Sequence, residues 1–436
     1  MFNKKRVILS IFVVFLFSNL NAKDILLEEL INIAIENNSD IKISKYKEEI
    51  KEANYQNSKS GYLPKISAVG EAAKYDIKSS NTNQIEDNVT GVSLTANQLI
   101  YDFGKTSNII DSAKEDYLAS NFETVKNISF TVLKIKEAYY NILSNFQQIN
   151  LSKESIKIDE LHLEQAEKYY KAGVRTLIDV TDAQLKLSNS KLELIQAQYN
   201  LKNAQTKLIS ILGIDESQKI DIKNAQEITS LAKKLEITNL QLENLLSSGY
   251  ENRPELKMFE KQINAQKLKL KSNRAEYYPR VDFDATYSDK DSDKIVSVDV
   301  KQATAGVYLK WDLYTGDSTQ ANIKSSLASL NSLIQQLNQE KLQIKEDITN
   351  AYFKLKEKEE SISIALLTVD LATQKLDLAN RRYQTGLNDL VELNESKLQY
   401  TQAKSNLINT YYSYLSSKAN LDYVIGVIYS TFAHKT

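Results

Sequence analysis

The stretch Lys105–Ala172, which begins KTSNIIDSAK and ends AEKYYKA, contains neither glycine nor proline and decides the fold. A second stretch without either residue lies between Gly316 and Gly386. Each stretch predicts one continuous helix of about seventy residues, roughly 100 Å long at 1.5 Å rise per residue. Ordinary globular helices average only about 11–12 residues, so helices of this length need partners along their whole length.

The two stretches belong to an internal repeat, because matching residues recur at a constant spacing along the chain. The pairs 213 positions apart are Tyr101 and Tyr314, Gly173 and Gly386, and Gly213 and Gly426; those 215 apart are Tyr62 and Tyr277, and Pro64 and Pro279. A constant spacing predicts two copies of one structural unit. Each copy is predicted to contain short helices, a β-hairpin and a long helical hairpin.

The repeat predicts the domain organisation. Residues 1–22 are predicted to be a signal peptide, in which Lys4-Lys5-Arg6 precede an apolar run. The first repeat is expected at 23–213, with a β-hairpin at about 65–100 and a helical hairpin at 104–213. An equatorial linker at 214–239 leads to the second repeat at 240–426, with a β-hairpin at about 280–314 and a helical hairpin at 316–426. Residues 427–436 form a C-terminal tail.

Composition excludes several classes of function. The chain carries 55 basic and 56 acidic residues, so no strongly basic surface is expected to bind nucleic acid. It has no cysteine, and its two histidines, His162 and His434, lie far apart in sequence. His162 is expected on a solvated helix face. The sequence shows no phosphate loop, metal cluster or acid–base dyad, so we expect neither an enzyme nor a cofactor or metal site.

Two short segments of each repeat change the apolar period from 3.6 to 2. After Pro279, Val281, Phe283 and Ala285 alternate with polar residues, which predicts a strand with one apolar and one polar face. The stretches 76–88 and 288–301 are interpreted as polar loops. The strands fit either a soluble sheet or a transmembrane β-barrel, and the signal peptide and the aromatic residues near the strand ends favour the barrel. Two hairpins cannot close a barrel alone, so an oligomer is expected.

The order of these segments resembles the TolC-like outer-membrane efflux protein family. The segments that carry the resemblance are Leu63-Pro64-Lys65-Ile66 with Tyr278-Pro279-Arg280-Val281, the stretches 99–104 and 311–316, and Tyr170-Lys171-Ala172-Gly173 with Tyr383-Gln384-Thr385-Gly386. The first repeat departs from the family pattern, since Asn38-Ser39 stands where the second has Arg253-Pro254.

The resemblance implies a mainly α fold with a small β part. Long antiparallel helices would form an oligomeric helical barrel across the periplasm, and four strands would contribute to a twelve-stranded transmembrane barrel of a homotrimer. It implies an outer-membrane channel-tunnel of a tripartite efflux or type I secretion system. Its partners would be outer-membrane lipid, a periplasmic adaptor protein and an inner-membrane transporter that supplies the energy.

The hairpin tips carry the candidate functional residues. Asp179 and Asp182, and their counterparts Glu392 and Glu395, lie three residues apart on one helix face. In an oligomer they would form acidic rings at a pore entrance and attract cations. Asp179 and Glu392 also fit capping boxes, which is a structural role.

The resemblance places gating links near Arg175, Asp179 and Tyr383. Asn388 replaces the basic residue that the family has at that position of the second tip. The alternative to the channel is a secreted or periplasmic helical structural scaffold whose hairpins form a soluble sheet.

Overall fold

The computed structural model describes residues 27–79, 82–215, 222, 227–235, 240–292, 300–387 and 389–428. The predicted signal peptide, most of the predicted linker and most of the C-terminal tail lie outside these residues. The chain divides into two compact units. The hairpin unit comprises Met1–Asn38, Lys134–Glu236 and Lys358–Ser416, and the sheet unit comprises Ser39–Leu133, Ile237–Glu357 and Ser417–Thr436.

Helices dominate the described residues. They are α1 Leu27–Asn37, α2 Ser39–Lys59, α3 Lys105–Lys171, α4 Leu177–Leu212, α5 Ile228–Lys233, α6 Leu242–Asn252, α7 Pro254–Ala275, α8 Ser318–Gln384 and α9 Leu390–Val424. The two long helices predicted from the absence of glycine and proline are confirmed, since α3 and α8 each contain 67 residues. Within the described ranges, no helix combines the length and hydropathy of a membrane span.

Four antiparallel strands form one sheet in the sheet unit. They are β1 Lys65–Ser79, β2 Thr82–Tyr101, β3 Arg280–Ser292 and β4 Val300–Lys310, in the order β1-β2-β3-β4. The interpretation of 76–88 as a loop was wrong, because β1 and β2 pair up to Ser79 and Thr82. The interpretation of 288–301 as a loop was wrong at both ends of this stretch, because β3 runs to Ser292 and β4 begins at Val300. Backbone pairing continues through these polar stretches because it needs no apolar alternation.

The register of the strands separates two faces of the sheet. Leu94, Tyr287 and Ala303 are aligned across β2, β3 and β4 on one face. The neighbouring row of Thr95, Thr286 and Thr304 lies on the opposite face. The apolar face is open in the single chain, where Val307 and Leu309 are about two thirds exposed.

Each repeat ends its last helix at a close approach of two backbone segments. Gly213 follows α4 with φ of 69°, and a Cβ at this position would lie 2.7 Å from the Asn37 carbonyl oxygen. The Asn38 side-chain amide donates to the Ile211 carbonyl at 2.6 Å, which satisfies a group in the last turn of α4.

The second repeat reproduces this junction with different side chains. Gly426 follows α9 with φ of 76°, and a Cβ there would lie 2.8 Å from the Asn252 carbonyl carbon. The guanidinium of Arg253 donates to the Val424 carbonyl at 3.4 Å. Asn38 and Arg253 therefore each donate a hydrogen bond to a carbonyl at the C-terminal end of equivalent helices, although their side chains differ.

We predict that Gly213→Ala destabilises the protein more than Gly173→Ala. Gly173 also has positive φ, 72°, but a Cβ there meets nothing within 4 Å. Both substitutions cost about 1 kcal/mol for a left-handed alanine. Gly213→Ala costs more because its Cβ overlaps a backbone carbonyl. Urea unfolding in detergent measures both losses, and equal losses would contradict the backbone contact at Gly213.

Candidate functional site at the hairpin tips

The two helical hairpins of the hairpin unit end in turns of the same construction. Gly173, between α3 and α4, has φ of 72° and donates its N–H to the Tyr170 carbonyl at 3.0 Å. Gly386, between α8 and α9, has φ of 77° and donates to the Tyr383 carbonyl at 3.1 Å. These tight turns bring the end of one helix beside the start of the next, and this positions the candidate residues.

At the first tip, Asp179 is part of the helix cap. Its Oδ2 accepts hydrogen bonds from the backbone N–H and the hydroxyl of Thr176, each at 3.0 Å. The carboxylate also lies in the first turn of α4, where it complements the helix dipole. Asp182 lies beyond the cap on the same helix and is exposed.

At the second tip, the acidic residues have other neighbours. Asp389 accepts a hydrogen bond from the backbone N–H of Glu392 at 3.0 Å. The carboxylate of Glu392 accepts from Arg382, in the last turn of α8, at 3.2 Å. Glu395 is exposed and accepts from the uncharged Gln399 at 2.8 Å. The two tips therefore share a turn but differ in their charge pairing.

Arg382 is a site residue that sequence reasoning missed. It lies one turn before the α8–α9 break, and Glu392 lies in the first turn after it. A basic residue and an acidic residue at these positions face each other once the helices fold back. Asn388, where the resemblance expects a basic residue, lies outside the described residues.

Tyr383 connects the two hairpins through its ring. It is 1% exposed, its ring meets that of Tyr169 edge-on at 5.7 Å, and the guanidinium of Arg175 lies 5.6 Å from its centroid. Among the described residues its hydroxyl has no hydrogen-bond partner. Burial raises the pKa of Tyr383, while the Arg175 cation opposes this effect and the Asp179 charge adds to it. The phenol is therefore neutral at physiological pH, and the contact with Arg175 is a cation–π contact.

The prediction for His162 was wrong. Its side chain is 2% exposed, and its Nε2 lies 3.0 Å from Oδ1 of Asn380 on α8. The seam of buried positions on α3 runs from Leu151 through Ser155 to Ala166, and it includes His162. Extending the apolar spacing of three and four through these polar residues would have revealed the burial.

The tips also expose large apolar side chains. Val174, Leu177, Ile178, Leu387 and Val391, called the apolar tip residues below, are each more than half exposed. The described residues contain no group of His, Asp and Glu arranged to hold a metal ion. The described tip residues therefore present charged and exposed apolar side chains.

Two repeated helical hairpins and a four-stranded antiparallel sheet give this chain the fold of the outer-membrane channel-tunnels. A sequence profile of the family described as outer membrane efflux protein matches residues 30–214 and 245–427. The chain belongs to the outer membrane efflux protein family.

Individual relatives are similar to this chain over most of its length. The toluene efflux pump outer membrane protein TtgC of Pseudomonas putida is 21% identical over 416 residues, which cover 92% of this chain and 82% of that protein. A crystal structure of CusC has a TM-score of 0.80 and 17% identity, covering 94% of this chain and 95% of the other. The CmeC outer membrane channel of Campylobacter jejuni has a TM-score of 0.79 and 15% identity, covering 94% and 88%.

These relationships decide between the two interpretations of the sequence. The chain is an outer-membrane efflux channel protein with a long helical periplasmic part, and the structural scaffold is the weaker alternative. The outer membrane efflux protein family consists of outer-membrane channel proteins.

We predict that Asp179→Ala lowers the free energy of unfolding by about 1 kcal/mol, because α4 loses its capping carboxylate. Asp182→Ala is the matched control, since it removes the same charge from the same helix beyond the cap. Chemical unfolding of the two variants measures the difference. Equal effects would mean that the cap at Thr176 contributes nothing to stability.

A second prediction concerns the hydroxyl of Tyr383. Tyr383→Phe keeps the ring contacts and removes a buried hydroxyl without a partner, so we expect an unchanged or higher free energy of unfolding, by up to about 1 kcal/mol. Tyr383→Ala removes the ring and should cost about 3–5 kcal/mol. A clear loss for Tyr383→Phe in the same unfolding assay would show that the hydroxyl gains a partner in the assembled protein.

Proposed function

We propose that three copies of the chain assemble into a passive exit duct through the outer membrane. An inner-membrane transporter drives the substrate, and a periplasmic adaptor protein joins the transporter to the duct. The observation that carries this proposal is the open four-stranded sheet with an exposed apolar face. Neither the edges nor that face are covered within the described part of one chain.

The sheet edges support assembly from several copies. β1 pairs only with β2, and β4 pairs only with β3, among the described strands. Because neighbouring strands alternate in direction, β4 of one copy runs antiparallel to β1 of the next and can pair with it. Unpaired edges in hydrocarbon cost several kcal/mol per backbone group, and even small single-chain barrels use about eight strands.

Exposed apolar stripes on the helices of the hairpin unit support the same assembly. The side chains that are about half exposed or more are Leu185, Leu192, Ile195 and Tyr199 on α4 and Ile364, Leu367, Leu371 and Leu378 on α8. Their spacings of three, four and seven residues form seams on which a neighbouring helix can pack. A helix of a second copy is the partner that these seams fit best.

The apolar tip residues support docking of the adaptor protein. Side chains such as Ile178 and Leu387, at 70% and 72% exposed, lie at the ends of the hairpins, away from the sheet in sequence. Clustered exposed apolar residues are typical of protein interaction sites. A partner with an apolar contact surface would cover them.

The acidic residues of the tips are proposed to line the entrance of the duct. Asp179 is engaged in the helix cap and Glu392 is paired with Arg382, so their charges are partly offset. Asp182 and Glu395 are exposed and not engaged in this way in the described hydrogen bonds. We therefore assign most of the attraction for cations to Asp182 and Glu395.

We predict that Glu395→Gln lowers the cation-to-anion permeability ratio in planar bilayers more than Glu392→Gln does. Arg382→Gln should raise the ratio, because it removes the cation that offsets Glu392. The control is Asp370→Asn, which neutralises an exposed carboxylate of α8 far from the tip. Reversal potentials in a salt gradient give the ratio for the native protein and the four variants, and an unchanged ratio in Glu395→Gln would contradict the acidic entrance.

The assembly itself is tested by extracting the protein from isolated outer membranes in mild detergent and measuring its native mass. A heat-sensitive trimer is expected, and it should form pores in planar bilayers. A monomer recovered from the soluble periplasmic fraction would overturn the proposal and favour the structural scaffold.

A further inference from the structure

A buried polar cluster connects three helices of the hairpin unit. The Lys397 ammonium on α9 donates to Asp159 Oδ2 on α3 at 2.7 Å and to the Ser190 hydroxyl on α4 at 3.1 Å. Ser190 itself donates to the same oxygen of Asp159 at 2.5 Å. Asp159 is 1% exposed and Lys397 is 9% exposed. The ion pair therefore links the first hairpin to the second through the interior of the unit.

His162 extends the cluster to a fourth helix, α8. It lies three residues after Asp159, so the two side chains share one face of α3. Its Nε2 donates to Oδ1 of Asn380 on α8, so the neutral ring leaves Nδ1 as an acceptor. Among the described residues, both His162 Nδ1 and Asp159 Oδ1 are buried without a hydrogen-bond partner.

Protonation of His162 would change the charge of this cluster. The charged groups that act on the ring are Asp159, on its own helix, and Lys397, on α9. α4 contributes Ser190 and α8 contributes Asn380, and neither of these titrates. A proton on Nδ1 would place a second cation near Lys397, with one carboxylate to offset both, in a buried site.

The cluster lies near the tips. Lys397 is in the second turn of α9, and His162 is about ten residues before the end of α3, which corresponds to roughly 10–15 Å along each helix. A change in the ion pair therefore acts close to the turns that carry the candidate entrance residues.

We propose that Asp159, Ser190, His162 and Lys397 form a pH-sensitive latch that holds the two helical hairpins together at neutral pH and loosens on acidification. This inference rests on the proposed function, since the latch would control the opening of the duct entrance. The chemical species that operates the latch is the proton.

The direction of the pH effect follows from burial. Burial lowers the pKa of His162 from its ordinary value of 6.5; the Asn380 hydrogen bond and the Asp159 charge oppose this effect, and the Lys397 charge adds to it. A histidine with a lowered pKa favours the folded state in its neutral form. Its stabilising contribution is complete above about pH 6.5 and is lost as the pH falls toward the pKa of the folded state.

The test measures the distance between the hairpin tips with two spin labels. The chain contains no cysteine, so Val174→Cys and Leu387→Cys, both exposed, give specific attachment sites within the hairpin unit. The full-length protein is used as a detergent-solubilised assembly in which labelled chains are a small minority. Two populations are expected, one with the tip distance found at neutral pH and one with a shifted distance. Between about pH 7.5 and about pH 5.5, the ratio of the shifted population to the neutral-pH population should rise by up to about tenfold per pH unit, which is the limit for one proton.

Two histidine variants and two ion-pair variants complete the test. His162→Gln should abolish the pH dependence, whereas His434→Gln, which changes the other histidine, should retain it. Asp159→Asn should give the shifted distance at both pH values. Lys404→Gln breaks the neighbouring pair of Lys404 and Glu154 on the same two helices, and it should leave the pH dependence unchanged.

A tip distance that does not change with pH in the native chain would overturn the latch, and so would a pH dependence that persists in His162→Gln. If Asp159→Asn does not fold, the comparison of His162→Gln with His434→Gln still decides the outcome. The distance measurement needs no pore activity. A protein that conducts ions without a pH-dependent tip distance would contradict the latch alone, and one that forms no pore would contradict the proposed function alone.

Discussion

Each repeat depends on one backbone approach that has no room for a side chain. At Gly213 the chain passes within van der Waals contact of the Asn37 carbonyl, and at Gly426 it passes equally close to Asn252. Both glycines also hold a positive φ that ends the preceding helix. The carbonyl groups left over at these helix ends are satisfied by Asn38 in one repeat and by Arg253 in the other. The geometry has been kept while the chemistry has diverged, so the backbone contact is the conserved element of the duplication within this chain.

The main features of the fold could be predicted because they leave local signals. The long helices follow from the absence of glycine and proline, and the apolar strands follow from their period of two. The polar ends of the strands leave no such signal, since a sequence such as Asp289–Asp291 pairs through its backbone and adds ion pairs to other strands, such as Lys290 with Glu71, in place of an apolar face. Pairs such as Asp159 with Lys397 join residues more than two hundred positions apart. Neither residue has a local feature that identifies its partner, and only the packing of the helices brings them together.

The two tips show how a duplicated unit can acquire two electrostatic roles. In the first hairpin the carboxylate of Asp179 stabilises the start of its own helix. In the second hairpin Asp389 takes the cap, and Glu392 is available to pair with Arg382. The ring of Tyr383 joins the two hairpins near the tips, through an edge contact with Tyr169 and a cation–π contact with Arg175. The two tips therefore have the same type of turn but differ in how their charged side chains are paired.

The order of the strands has a consequence for stoichiometry. Among the described strands the two open edges are β1 and β4, one from each repeat, so the proposed edge pairing between copies would be head-to-tail. A head-to-tail contact can be repeated any number of times, and the hydrogen bonds at the edge are the same whether the ring holds two copies, three or more. In the proposed assembly the copy number would be set by the angle at which neighbouring copies meet, because the order of the strands does not determine it.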